Sequence, residues 1–171
     1  MLIYWHLLWF LSINEDISSE LTTTGIVKSV KTESGERLVP IHSHLIELGF
    51  IRFVDSKRHD GKSNFVFSLV PDSDGDPSRN PSKWFQRYRK DFEFDVDKGR
   101  KDFHSLRHTF IDSLDKLAVR LESNRDLAGH AQQGTNSRVY RKTEALITLK
   151  HELEKLCYRE VLTSVKPWTQ T

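Results

Sequence analysis

Apolar positions follow a strand-like rhythm at the start of the chain and a helical one later. Residues 7–14 (LLWFLSIN) predict a strand, and the polar stretch EDISSELTTTG follows it. Over residues 25–41, Ile26, Val30, Leu38, Val39 and Ile41 flank the turn Glu33-Ser34-Gly35-Glu36, which predicts a hairpin. Ser43 is placed to cap a short helix carrying Leu45, Ile46 and Leu48, with Gly49 as its stop. Residues 64–70 form an apolar run expected to be a short strand, and PDSDGDPSRNP is the clearest loop. After Pro81-Ser82, Trp84, Phe85 and Tyr88 predict a helix. Leu106, Phe110, Ile111, Leu114 and Leu117 form one amphipathic stripe. Residues 124–128 predict a short helix stopped by Gly129. Leu146, Leu149, Leu153 and Leu156, spaced by three and four, predict a final helix of about 15 residues or more. A small N-terminal antiparallel sheet followed by helices is an α+β domain.

Composition narrows the class. With 37% hydrophobic and 29% charged residues, the 171-residue chain supplies one core, and it lacks the long apolar run of about 18 residues that a bilayer-spanning helix needs. The opening MLIYWHLLWFLSI has no basic leader and no small-residue cleavage site, so it is expected to be buried core. A single cysteine, Cys157, makes no internal disulfide, suits a reducing cytoplasm, and is expected to behave as a small buried apolar residue. The net charge of +2 says little, but its distribution says more. From Arg79 to Arg107 there are nine Lys/Arg against five Asp/Glu, with Trp84 and Tyr88 interleaved. Such a stretch is either a phosphate-tracking surface or a solvated helix face.

The densest candidate chemistry is FHSLRHTF, residues 103–110. His104 and Arg107 share a helix face, and a cation beside a hydrogen-bond donor suits an anion such as phosphate. His104 and His108 also have the i, i+4 spacing of zinc helices. Against metal stand Arg107 between them, which repels a cation, and the lack of an Asp or Glu where a third helical ligand is expected. Two incidental histidines at a helix start is the plain alternative. His130, directly after the helix-stopping Gly129, is placed to face a cleft, and Tyr140 lies ten residues on in the polar stretch AQQGTNSRVYRK. Lys31 leads into the hairpin turn, where a lysine is ordinarily a solvated edge residue.

Taken together these residues resemble the tyrosine site-specific recombinases of the phage-integrase family. VKTESGERLVPIHSHLIELGF resembles the family's KT-x-x-S-x-R-x-VP-L hairpin and following helix. FHSLRHTF resembles its second conserved box, LAGH its LGH box, and TNSRVYRK its tyrosine segment. The likeness runs from about residue 12 to residue 157. It implies a single, partial catalytic domain over residues 1–171, with the N-terminal core-binding domain absent.

The resemblance implies that the Tyr140 hydroxyl attacks a DNA phosphodiester, giving a 3′-phosphotyrosine and a free 5′-hydroxyl, with neither cofactor nor metal. Arg107 would hold the non-bridging oxygens and His130 would add a hydrogen bond to them. His104 would position phosphate or accept the tyrosine proton, and Lys31 would protonate the 5′-oxygen. Lys83, Arg87, Arg89, Lys101 and Arg138 are the expected DNA contacts, and His108 is assigned either to structure or to support of the residues that touch the phosphate. Implied as well are double-stranded DNA as partner, a homo-oligomer on DNA through the C-terminal helix, no membrane, and a bacterial or phage-derived protein in the cytoplasm. Nothing in the chain matches the family's first-arginine box (Gly-x-Arg), and Ala128 stands where LGH usually has glycine. A DNA-binding remnant that no longer cleaves, a type IB topoisomerase-like enzyme and a metal-dependent nuclease are the alternatives.

Overall fold

The computed structural model describes residues 2–5, 8–13, 37–59, 66–67, 69–76, 78–91, 103–130 and 143–169. Strands β1 (Leu2–Trp5) and β2 (Leu8–Ile13) pair antiparallel, and β3 (Arg37–Pro40) pairs antiparallel with β2, giving the order β1-β2-β3. Tyr4 and Trp9 face each other across the first pair with ring centroids 4.9 Å apart. The remaining described elements are helical: α1 (Ser43–Glu47), α2 (Phe50–His59), α3 (Arg79–Lys90), α4 (Phe103–Lys116), α5 (Leu121–Ala128) and α6 (Thr143–Leu153). The class is therefore α+β, with the sheet first. Of the expected hairpin over residues 25–41, the part before Arg37 lies outside the described residues.

Two apolar clusters organise the fold. Leu2, Ile41, Ile51 and Val54, with Trp9, Phe50 and Phe53 against them, join the sheet to α1 and α2. Leu114, Val119, Leu127, Leu149, Leu153 and Leu156 join α4, α5 and α6, with Val39 and Phe110 packed on them. Val39 and Ile41 are two residues apart, so the segment through β3 belongs to both clusters and fixes the sheet on the helices. All four leucines of the α6 stripe are buried within the chain's own core.

Several expectations are corrected. α1 is capped by His42, whose Nδ1 accepts from the His44 N–H, and not by Ser43, the first helical residue. Gly49, at φ 87°, ends α1 as expected, yet α2 starts directly after it. The run 64–70 shows no strand among its described residues: Phe67, Leu69 and Val70 are exposed, since a β-prone run without a partner strand has nothing to pair with. α3 begins at Arg79, so the last three residues of PDSDGDPSRNP form its first turn, where Pro81 is tolerated. Along α4, Leu114 is fully buried whereas Leu106 and Leu117 are exposed, because the stripe is wider than the surface that α5 and α6 cover. α6 ends at Leu153, shorter than expected, and Leu156 reaches the core from beyond it. Cys157 is exposed, lying past the helix on the far side of buried Leu156.

Candidate anion site at the α4–α5 end

The second box forms the start of α4, with His104 and Arg107 one turn apart. His104 and His108 are exposed, and their rings meet edge to face at 4.8 Å. Arg107 is half-buried. α5 ends at Gly129, which adopts the left-handed φ of 71° and closes the helix by donating its N–H toward Arg125 and Asp126 carbonyls. His130 follows, exposed, with its own N–H donated to the Arg125 carbonyl at 2.9 Å. Glycine is favoured here by the φ, which a side chain disfavours, and a Cβ at Gly129, 2.6 Å from both Cζ and Nη1 of Arg37, would push that guanidinium aside.

Arg37, the arginine of the KT-x-x-S-x-R-x-VP-L pattern, has no role assigned from the sequence. The β2–β3 ladder, in which it pairs with Ile13, holds it at the start of β3, and its guanidinium rests on the α5 terminus. Burial and, after it, the neighbouring charge of Arg107 push the Arg37 pKa down. The Gly129 end of α5 thus borders Arg37, and the Arg107 charge acts on it from α4. The position it takes is visible in the sequence, since Arg37 opens the otherwise apolar segment RLVPI. Lys31 and Tyr140, expected at the same place, lie outside the described residues, as do Lys101 and Arg138.

α3 carries the expected cations differently. It holds Arg79, Lys83, Arg87, Arg89 and Lys90 and no Asp or Glu. Trp84 and Tyr88 are exposed and stack at 5.1 Å with their planes 20° apart. Phe85 turns the other way, stacked on Phe103 at 4.5 Å. Arg89, four residues after Phe85, follows it inward and is only 7% exposed, which corrects its expected place on a DNA-facing surface. Lys83 and Arg87 are exposed. Arg79 is held by the preceding loop, with Nη1 3.0 Å from Asp72, 2.5 Å from Asp74, and Nε 3.7 Å from Asp76. Asp72 also accepts from the Asp74 and Asp76 N–H groups, and these bonds, the one from Asp76 foremost, hold its pKa low.

Among the described residues no three His, Cys, Asp or Glu side chains gather as a metal site, and no helix is long and apolar enough to cross a membrane. Compared with known proteins, the chain matches no family model, no curated protein and no solved structure.

Proposed function

We propose that the chain carries the catalytic domain of a tyrosine recombinase, which cuts and rejoins double-stranded DNA through a 3′-phosphotyrosine on Tyr140. The observation that carries the reading is the order of four boxes along the chain: KTESGERLVPI, FHSLRHTF, LAGH and TNSRVYRK. The seat of the Arg37 guanidinium against Gly129 supports it, because it brings KTESGERLVPI and LAGH together, as a phosphodiester reached from both boxes requires. In the step proposed, the Tyr140 oxygen bonds to phosphorus and the bond to the 5′-oxygen breaks. The leaving oxygen takes a proton from Lys31, and the tyrosine proton goes to His104. Arg107 and His130 hold the non-bridging oxygens as charge builds. Religation reverses the step with no external energy, since the phosphotyrosine keeps the energy of the bond it replaced.

Lys83 and Arg87, exposed beside the Trp84–Tyr88 stack, fit a surface that follows the DNA backbone. A homo-oligomer on DNA would need a surface other than the α6 leucines, which the chain's own core already covers. The setting proposed is a bacterial or phage-derived protein in the cytoplasm. The test is a pool of nicked duplexes with randomised centres, mixed with the chain and resolved on a denaturing gel. A faint covalent protein–DNA band, weak because nothing in the chain matches the first-arginine box, that disappears in Tyr140→Phe and survives a chelator is expected. A band that persists in Tyr140→Phe, or cleavage abolished by the chelator, would end the reading.

A further inference from the structure

We propose that the Trp84–Tyr88 stack and the cations beside it on α3 bind single-stranded DNA, with unpaired bases stacking on the aromatic pair and backbone phosphates meeting Lys83, Arg87 and Lys90. The inference rests on the reading above for DNA as the nucleic acid. It adds a binding mode that a surface for duplex alone does not need.

Two rows run side by side along α3. Lys83, Arg87 and Lys90, at i, i+4 and i+7, make a cationic row, and all three are exposed. Trp84 and Tyr88, at i and i+4, make an aromatic row, 53% and 41% exposed, with their planes 20° apart. The inner side of the helix is occupied otherwise: Phe85 stacks on Phe103, and Arg89 is buried. With five Lys/Arg and no Asp or Glu, α3 is complementary to an anionic occupant. A nucleic acid strand supplies both features that the two rows fit, negative phosphates and flat apolar rings.

Cations of this kind serve a duplex as well as a single strand. Exposed aromatic rings do not. In a duplex the base faces are hidden in the stack and only their edges reach the grooves, so a ring lying on α3 gains little from it. An unpaired base offers its whole face, whatever its sequence. The Phe85–Phe103 stack, at 4.5 Å, ties α3 to the first residue of α4, directly before His104. A strand end released by the proposed cleavage would thus meet the aromatic row on the neighbouring helix. The competing role is local: an i, i+4 ring pair that steadies α3 and touches no ligand. Removing such a pair costs stability and leaves DNA affinity as it was.

The experiment measures fluorescence anisotropy of the full chain with labelled oligo-dT and with a duplex of equal length, at one ionic strength. Trp84→Ala and Tyr88→Ala are each expected to weaken oligo-dT binding about ten-fold and to change duplex binding less than about two-fold. Trp84→Phe, which keeps a flat ring, is expected to recover most of the loss. Oligo-dT should also quench tryptophan emission, and Trp84→Phe should remove that quench although the other three of the four tryptophans remain. Unchanged oligo-dT binding in Trp84→Ala overturns the proposal, and so does an equal loss on both DNA forms. Tighter binding of oligo-rU than of oligo-dT overturns the assignment to DNA. If Trp84→Ala fails to fold, Tyr88→Ala and the emission quench decide, and unchanged binding or an absent quench overturns the proposal. The covalent-band assay separates this from the function itself. Stacking-dependent oligo-dT binding without a Tyr140 band leaves the α3 surface and removes the recombinase, and a Tyr140 band with unchanged oligo-dT binding in Trp84→Ala does the reverse.

Discussion

Ser43 donates both its backbone N–H and its hydroxyl to the carboxylate of Glu154, at 2.8 and 2.6 Å, across 111 positions of sequence. Lys150 pairs with the same carboxylate and donates to the Ile41 carbonyl at 2.5 Å. His42, capping α1 through Nδ1, uses Nε2 to reach the Leu156 carbonyl at 3.0 Å. The start of α1 is thus bound to the end of α6 by charge-assisted hydrogen bonds. Glu154→Gln should lower unfolding free energy by about 1.5–3 kcal/mol near neutral pH, and Ser43→Ala by about 1 kcal/mol. Urea melts check this, and a loss under about 0.5 kcal/mol for Glu154→Gln would show the cluster to be incidental.

The same carboxyl sets an acid dependence. Burial pushes its pKa up, but bonds from Lys150 and Ser43 outweigh that and bring it from 4.5 to about 2. A carboxylate whose folded pKa is depressed stabilises fully above its unfolded value and loses that contribution as pH falls toward the folded one. The stability gap between the unaltered chain and Glu154→Gln should therefore be full above pH 4.5 and shrink progressively toward pH 2. Urea midpoints for both chains across that range decide it, and a gap that stays constant with pH contradicts the assignment.

Ala118 ends α4 in the left-handed region at φ 52°, with its N–H on the Asp115 carbonyl and the Val119 N–H on the Leu114 carbonyl. An L-residue loses roughly 1–2 kcal/mol there, which glycine avoids. Ala118→Gly should stabilise by about 0.5–1 kcal/mol after the extra freedom it gives the unfolded chain. A thermal melt showing a lower midpoint than the unaltered chain would contradict this.

Gly129→Ala should act in the opposite direction. Its φ of 71° costs a side chain, and the new Cβ would collide with the Arg37 guanidinium 2.6 Å away. About 2–3 kcal/mol of stability should be lost. Pairing it with Arg37→Met should restore part of the loss. Purely additive losses in that double-mutant cycle would show that the contact is not felt.

On α3, Lys83→Ala and Arg87→Ala should each weaken duplex binding to a similar extent for all sequences and flatten its salt dependence by about one phosphate contact. Arg89→Ala, at a buried position, should lower stability instead and leave the salt dependence alone. Fluorescence anisotropy across a salt series separates the two. An Arg87→Ala slope equal to that of the unaltered chain removes α3 from the DNA surface.

What the sequence made legible was local. The 3-and-4 spacing of Leu146, Leu149, Leu153 and Leu156 marks one buried stripe, and all four leucines are buried. Gly129 reads as a helix stop because only a left-handed residue closes a helix that way, and it does. What was illegible depends on distant partners. Nothing near Ser43 announces Glu154, so a serine that looked like a cap is instead held from 111 positions away. Nothing near Arg37 announces Arg107 or Gly129. Exposure of Cys157, and of Phe67, Leu69 and Val70, likewise depends on what tertiary packing covers. Arg89 is the intermediate case: its spacing from Phe85 already placed the two on one side of α3.

Trp168 donates its N–H to the Leu48 carbonyl at 2.9 Å, lies against Gly49, and meets the Phe53 ring edge-on at 5.7 Å. Phe53 packs on the cluster that also contains Leu2, so positions 2 and 168 close on the same small region. During synthesis that region waits for position 168 to leave the ribosome, and until then Phe53 lacks its contact with the Trp168 ring. Sheet and first helices are thus sealed late, by a long chain closure, while the α4–α6 bundle can assemble around nearer neighbours.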